Sequence, residues 1–515
     1  VFYSLTAKEM IAQNHWLTPY IFNQPQFEKP ILTYWFIKSA FLAFGQTPFA
    51  ARFFPALFAL LGVLGIYILG LLGFANERRA FLAALVLSTS AFYLAMGKTV
   101  FTDMIFTVLI LYSLLSFYLG FSNPRYKTLG IVAFYVFAAL AVLAKGPLGL
   151  FIPELIVIIF LLYTRQINFL TSPCITWGFF LFLLIALPWY WYMVAKYGQA
   201  FIHEFFYNDH IRRLLMAEHK GNDRWFFYPF TMLGGLFPWS LFLGAAMVDL
   251  FKRIKFSIRP FEYFLLSWIL VVLIIFQFAH SKLASYILPM FPALALLTAN
   301  FVDEKLETFD FRIIKKLSYV LIGFLTLLAI AVLLAYKVYK PYLSSTLPAY
   351  WLSAGLFSIG GISLTLLFKD KVRQAIVLLS FSLVPIFITA FMITSAVEPH
   401  VSMYEAALYV PSLSMHKTTI LTGKPFARGV NYYTGQDVAV MDLGGKNYFS
   451  PHPIPILNTK ESLLAFLNTQ PQTFAIVKKS NYEYLNKNYA QQFHINVLKM
   501  TGRNYVLRIE PVKPS

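Results

Sequence analysis

The sequence predicts an α-helical polytopic membrane protein with a small α/β domain at its C-terminal end. Three observations predict it. Of 515 residues, 58% are hydrophobic and only 13% are charged, whereas soluble domains run at roughly 45–50% and about 25%. About twelve apolar runs of membrane-crossing length, roughly 20 residues each, follow one another up to position 395. From about 400 the composition turns polar, with Gly444-Gly445 and a proline patch at Pro451, Pro453 and Pro455. An ordinary soluble enzyme is excluded. A single cysteine, Cys174, excludes an internal disulfide framework and a thiolate metal cluster.

The runs lie near 49–73, 80–97, 103–121, 128–145, 147–163 and 174–194, then 229–249, 261–279, 284–300, 317–338, 348–368 and 374–395. The runs at 80–97 and 147–163 are short and sit close to a neighbour. Charge placement tests the register. With Val1 outside, the loops after the odd-numbered runs face the cytoplasm. They carry Arg78, Arg79, Arg125, Lys127, Arg165, Lys252, Arg253, Lys255 and Arg259, then Lys305, Arg312, Lys315, Lys316, Lys369, Lys371 and Arg373. The short outer turns hold only Lys98, Lys145, Lys282, Lys337 and Lys340. This asymmetry is the positive-inside pattern. Much of the +19 formal charge is therefore topology, and a nucleic-acid face is not needed to explain it.

The register divides the chain into an outer loop with interfacial helices (1–48), a transmembrane domain (49–395) and an extracytoplasmic α/β domain (396–515). Residues 2–13 and the aromatic stretch 31–44 are too short to span and read as helices lying on the membrane surface. No initiator Met, basic n-region or apolar h-region opens the sequence. With both ends outside, a chain lacking its first span is expected. In the tail, runs at 418–421, 438–441, 473–477 and 493–498 read as strands. Residues 459–468, with Asn458 and Glu461 at capping-box spacing, and 480–488 read as helices.

Candidate chemistry gathers at the outer surface. Glu28 of Phe27-Glu28-Lys29-Pro30 could ligate a metal or orient an acceptor, and Lys29 could hold a lipid phosphate; equally, the two are a solvated pair at a helix start. The 195–228 loop holds His203, Glu204, Asp209, His210, Arg212, Arg213 and His219. Its histidines lack HExxH spacing. His210 and Arg213, three apart, would share a helix face, where Arg suits bidentate phosphate binding and His a metal or a proton. Ordinary surface charge on a wet loop accounts for any one of them. Lys98, Lys145 and Lys282 lie at one level with Asp103 and Tyr286. Singly these are snorkelling anchors and a helix N-cap; together the lysines oppose the positive-inside trend and favour an anionic ligand, inferred to be a phosphate. The nine Asp residues form no Asp-x-Asp, and no Walker lysine loop or Gly-rich dinucleotide turn is present. An activated donor would have to come from elsewhere, such as a lipid already in the membrane.

Phe27-Glu28-Lys29-Pro30 with Tyr34-Trp35, Ala51-Arg52-Phe53, Thr102-Asp103, Leu143-Ala144-Lys145-Gly146-Pro147, and Ser281-Lys282 with Tyr286-Ile287-Leu288-Pro289 follow in order. Together they resemble the polyprenyl-phosphate-sugar-dependent GT-C glycosyltransferases, in particular the 4-amino-4-deoxy-L-arabinose lipid A transferases and the protein mannosyltransferases. The resemblance implies a GT-C fold of thirteen spans and transfer of a sugar from a polyprenyl-phosphate carrier to a lipid (lipid A-like) or protein acceptor, on the outer face of the inner membrane. It implies that Lys29 binds the carrier phosphate with Lys145, Lys282, Tyr286 and Arg213 as further candidates. Glu28 and Asp103 would be supporting acids, and Glu28 with His210 would hold a divalent metal. Two departures stand out. Ile31 replaces a second proline, and the family's Asp-Glu pair, whose Asp is the usual candidate base, would precede Val1. The rival readings are a lipid or solute transporter or flippase, which predicts charges along a midplane path, an O-antigen ligase or oligosaccharide polymerase, and a non-catalytic assembly protein. Glu154 is the clearest charge inside a span, and no charged series accompanies it.

Overall fold

A computed structural model describes the chain except residues 213–214, 217–221, 255–257, 340–344, 411–417, 443–453 and 513–515, and except the side chains of His210 and 337–339. Arg213, His219, Lys255, Lys340, Gly444-Gly445, Pro451 and Pro453 therefore lie outside the described residues, as do the side chains of His210 and Lys337.

All twelve apolar runs fall on helices. Among the described residues, nine helices are long and apolar enough to cross a membrane, or eleven if two bent pairs each count as one span. The bent pairs occupy the runs 80–97 and 229–249. They are α4 (Glu77–Ser88) with α5 (Ala91–Gly97), bent by 66°, and Phe227–Gly235 with Ser240–Arg253, bent by 117°. The first breaks at Ser90, whose backbone is extended; the second breaks near Pro238, which has no N–H to carry the helix on. The run at 147–163 is α8 (Leu148–Tyr163), only 16 residues long.

Burial sorts the helices. Thr102–Ser122 (α6) and Ala284–Glu307 are 83% and 89% buried and form the centre, whereas Phe311–Tyr336 and Leu347–Phe368, each 28% buried, face outward. Small residues let the central helices meet. A Cβ on Gly130 of α7 (Lys127–Lys145) would stand 2.5 Å from the Ser116 carbonyl oxygen of α6, so only glycine permits that approach.

Two ends of the bundle carry charge. At one, Asn76 caps α4 by accepting from the Arg78 and Arg79 amides at 3.0 and 3.1 Å, which aims both guanidinium groups at the helix Phe291–Glu307. Arg79, 6% exposed, reaches Asp303 at 2.9 Å, Glu307 at 2.5 Å and Asn300 at 3.2 Å. Arg78 reaches Asp303 at 2.7 Å. Asn300 passes the network to Glu262, which pairs with Arg253 at 3.0 Å. The other end carries residues 1–48.

Those residues form α1 (Phe2–Ala12), a two-stranded hairpin, and α2 (Leu32–Phe44). The hairpin pairs β1 (Tyr20–Ile21) with β2 (Gln24–Pro25), and its central residues Phe22 and Asn23 have φ of +52° and +60°. Phe in the left-handed region is uncommon. Here the buried Glu9 carboxylate accepts both central amides at 2.8 Å. Burial pushes the Glu9 carboxyl above the ordinary carboxylate range, against the effect of those two bonds. α1 packs on both sides: Tyr3, Ala7 and Met10 join the membrane core, while Leu5 joins Ile21, Phe22 and the C-terminal sheet.

That sheet has six strands in the order β5-β4-β3-β6-β8-β7, formed by β3 (Ile420–Gly423), β4 (Val438–Met441), β5 (Ile456–Leu457), β6 (Thr473–Lys478), β7 (Phe493–Thr501) and β8 (Asn504–Pro511). β5, β4, β3 and β6 run parallel, and β8 returns antiparallel between β6 and β7. The four expected strands are present. The helix Lys460–Asn468 is capped one residue later than its sequence suggests, with Thr459 and Ser462 making the reciprocal bonds rather than Asn458 and Glu461. The expected 480–488 helix is Lys479–Tyr489.

Candidate functional site

The Phe27-Glu28-Lys29-Pro30 turn is held from both sides. Gln26 accepts the Glu28 amide at 3.0 Å and donates its own amide to the Tyr34 hydroxyl. Phe27 packs on the Tyr197 and Phe201 rings at 5.1 and 5.7 Å. Pro30 precedes α2, whose first residue is Leu32. The turn presents the Lys29 ammonium, which donates to the Glu28 carbonyl oxygen at 3.0 Å and to the Asp209 carboxylate. Both side chains are largely buried, 12% and 5% exposed.

Asp209 arrives from an unexpected direction. α9 (Pro173–Ile202) outruns the apolar segment 174–194 and continues as a π-helical segment, His203–Arg212. The 195–228 region, read from sequence as a wet loop, is thus helical over its first part, and its Asp209 turns into the bundle. Trp189 and Tyr197 of α9 bond Leu17 and Thr18 at 2.8 and 3.1 Å, fixing this helix against residues 1–48.

A second lysine closes the site. α7 ends at Lys145 because Gly146 has φ +126°, a conformation open essentially to glycine alone, and Pro147 then starts the turn into α8. The Lys145 ammonium lies 2.7 Å from Asp103, with both side chains about a tenth exposed or less. It also stands 4.8 Å from the centre of the Tyr286 ring and 5.1 Å from that of Phe106, within cation–π range. Asp103 is therefore not an N-cap: the helix is capped at Phe101, and the carboxylate serves Lys145. Tyr286 sits in a 3-10 turn, Ala284–Met290, pinned where Trp268 donates to the Pro289 carbonyl oxygen at 2.8 Å.

Lys29, Lys145, Asp209, Ser281 and Tyr286 line one cavity of about 290 Å³, and its remaining wall is apolar, formed by Leu148, Ile211, Ile275, Phe276 and Ala279. The Ser281 hydroxyl is buried and makes no hydrogen bond among the described residues. Acidic groups gather behind the lysines. Burial raises the Tyr3 and Tyr34 phenols far above their ordinary value, and the nearby negative charge of Glu28 and Asp209 raises both further, with Asp103 adding to Tyr3. Neither phenol ionises there.

The other candidates separate. Lys282 does not line the cavity; it pairs with Asp223 at 3.1 Å, and Asp223 also bonds His280 at 2.8 Å. These two bonds, His280 first, pull the Asp223 carboxyl below its ordinary value. Lys98 stands over the Phe387 ring at 4.7 Å. Arg213 and the His210 side chain lie outside the described residues. Among the described residues, no three His, Cys, Asp or Glu side chains converge to hold a metal ion, so no chemistry is derived through one. From sequence, Asp209 stands out only as one of the loop's charges and Ser281 only as part of the Ser281-Lys282 motif, and Asp223 does not stand out at all. Their relevance depends on contacts between residues more than 50 positions apart.

The arrangement can bind an anion whose tail is apolar. Two lysines, an aspartate, a tyrosine and a buried hydroxyl share the lining of one pocket with five apolar residues, the composition expected of small-ligand sites.

Comparisons with known proteins bear on the family likeness and the fold. The family described as dolichyl-phosphate-mannose-protein mannosyltransferase matches residues 28–192. The chain is 30% identical over 352 residues to the undecaprenyl phosphate-alpha-4-amino-4-deoxy-L-arabinose arabinosyl transferase 2 of Proteus mirabilis, covering 66% of this chain and 62% of the relative. It is 29% identical over 340 residues to the corresponding transferase of Serratia proteamaculans, covering 64% and 60%. The chain thus spans about three fifths of the length of these relatives. In fold it is similar to ArnT from Cupriavidus metallidurans bound to undecaprenyl phosphate, with a TM-score of 0.77 at 20% identity over 98% of this chain and 92% of that one. The apo form of the same protein gives 0.78 at 19% identity, with the same coverage. The likeness read from the motifs is the one these comparisons return, and the chain shares the fold of that ArnT structure.

Proposed function

We propose that this protein is a glycosyltransferase of the inner membrane that moves a sugar from a polyprenyl-phosphate carrier to a lipid acceptor of the lipid A kind, or to a protein, on the extracytoplasmic face. The observation that carries the reading is the cavity in which Lys29, Lys145, Tyr286 and Ser281 face hydrocarbon walls. Residues 1–48, 49–395 and 396–515 serve as its outer loop, membrane domain and extracytoplasmic domain. The names of the relatives, which specify undecaprenyl phosphate-linked aminoarabinose, support a polyprenyl-phosphate donor and favour a pentose.

In this reading the prenyl chain lies along Leu148, Ile275 and Phe276 and the phosphate meets the two ammonium groups. An acceptor oxygen attacks the anomeric carbon opposite the phosphate, the carbon–oxygen bond to phosphate breaks, and the polyprenyl phosphate leaves with the electron pair. Lys29 and Lys145 stabilise that developing negative charge. Asp209 and Asp103 hold the lysines in place. The acceptor proton passes to a carboxylate, for which Glu28, next to Lys29 in the chain, and Asp103 are the supporting candidates. Tyr286, with its ring against Lys145, restricts that ammonium to the cavity face.

The test is transfer from undecaprenyl phosphate-linked aminoarabinose to lipid A by the purified protein. Glu28→Ala and Lys29→Ala are each expected to abolish product formation while the protein stays folded. Undiminished transfer by both variants would remove the site assignment.

A further inference from the structure

The C-terminal sheet holds a crevice of its own. β3, β4 and β6 are parallel neighbours, so their carboxyl ends at Gly423, Met441 and Lys478 lie along one edge. From β3 the chain passes through the helix Ala427–Thr434 to β4 on one side, and only later returns to β6 on the other. Where connections leave neighbouring strands in opposite directions, open α/β sheets leave a ligand-binding crevice beyond the strand ends. A cavity of about 360 Å³ lies there, lined by Lys424, Phe426, Asp442, Lys478, Asn481 and Tyr484 among others, and it shares no residue with the membrane cavity.

Its charges suit an anion. The Lys424 ammonium is 3.2 Å from Asp442, and the Lys478 ammonium stands over the Phe426 ring at 5.1 Å. The helix Lys479–Tyr489 starts at the crevice. Among the described residues no side chain caps it, and its first turn holds no acid. A helix start leaves backbone N–H groups unsatisfied and favours negative charge. Here the N-cap position is Lys478 and the first residue is Lys479, two cations at the end that repels them. Glu483 on the same helix, 3.7 Å away, offsets Lys479, whereas Lys478 lines the crevice. An anion in the crevice would offset Lys478 and meet the amides of the helix start, and Phe426 and Tyr484 line the same crevice, where a sugar ring would lie.

We propose that this crevice binds a sugar phosphomonoester, either free or as the headgroup of a phosphorylated glycolipid. The experiment titrates the detergent-solubilised full chain by calorimetry with glucose 1-phosphate, with glucose, and with a monophosphorylated disaccharide lipid in mixed micelles. The same titrations follow for Lys424→Ala/Lys478→Ala and for Lys487→Ala in the last turn of the same helix. Binding of at least one phosphorylated probe is expected, with none of glucose. The double variant should weaken it about tenfold or more, as loss of charge-assisted bonds does, with an unchanged unfolding midpoint, and Lys487→Ala should match the parent. Binding by the lipid probe alone would assign the site to a headgroup, and binding by glucose 1-phosphate would assign it to the free phosphosugar chemistry. Equal binding by parent and double variant, or no binding of either phosphorylated probe, overturns the proposal.

Discussion

The two ends of the membrane domain use opposite charges in different ways. At the end away from residues 1–48, Arg78, Arg79 and Arg253 share Asp303, Glu307, Glu262 and Asp249 in a branched network in which Asp303 and Glu307 each bridge both Arg78 and Arg79. At the cavity end, among the described residues, each lysine meets one carboxylate: Lys29 meets Asp209, Lys145 meets Asp103, and Lys282 meets Asp223, which also bonds His280. Arginine's planar fork is bound at several points and gives up its partners reluctantly; an ammonium is a compact charge that can exchange one oxygen for another. The difference teaches that buried ion pairs alone do not mark a site. Lysine pairs bordering a cavity can trade carboxylate for phosphate, whereas the arginine network holds helices together.

Breaking each kind of pair should therefore have different consequences. The largest effect on turnover is expected from Lys145→Ala, which removes a cation aimed at the leaving phosphate. Transfer by the folded fraction should fall about 100-fold or more, and the thermal midpoint should drop as well because the buried Asp103 loses Lys145, read by product assay and unfolding in detergent. Arg79→Ala should act on stability alone. It leaves Asp303 and Glu307 with Arg78 as their arginine partner, costing about 2 kcal/mol, so the midpoint drops while the folded fraction keeps its turnover.

Asp103→Asn sharpens the comparison by keeping shape and removing charge. It should loosen Lys145 from its position, raising the donor KM by about tenfold or less more than it lowers kcat, and Asp103→Glu should recover part of the loss. The smallest effect concerns the loop end. The Asp223 carboxyl is held below its ordinary value by His280 and Lys282, so its folded pKa lies under its unfolded one. Its stabilisation is present above the ordinary value and is lost as pH falls through the depressed one. Because the group is part-exposed, the contribution is under about 1 kcal/mol. Hydrogen exchange around Asn222–Arg224 should quicken in that acid window and lose its pH dependence in Asp223→Asn.

Much of this was legible in the sequence. Composition and the charge asymmetry located the apolar helices, because lipid exposure forces a signal into every outward position. α8 and the pair bent at Ser90 sat on the runs 147–163 and 80–97, which are short, whereas the pair bent near Pro238 lay on the full-length run 229–249; such a break changes geometry without changing hydropathy. Lys29, Lys145 and Tyr286 were singled out by motif, and they meet in one cavity. Asp209 was passed over because its residue type and neighbours read as surface charge; only the continuation of α9 beyond Val194 turns it inward. Ser281 carries no signal beyond its place beside Lys282. The capping shift from Asn458 to Thr459 is of the same kind, a choice between adjacent cap-forming residues that packing decides.

The central claim is that the cavity lysines, and not the arginine network, hold the carrier phosphate. Its most direct test is equilibrium binding of undecaprenyl phosphate to the purified protein, to Lys29→Ala and Lys145→Ala, and to Arg79→Ala at a temperature where that variant is folded. Both lysine variants should lose binding and Arg79→Ala should retain it. Unchanged affinity in the two lysine variants would contradict the account.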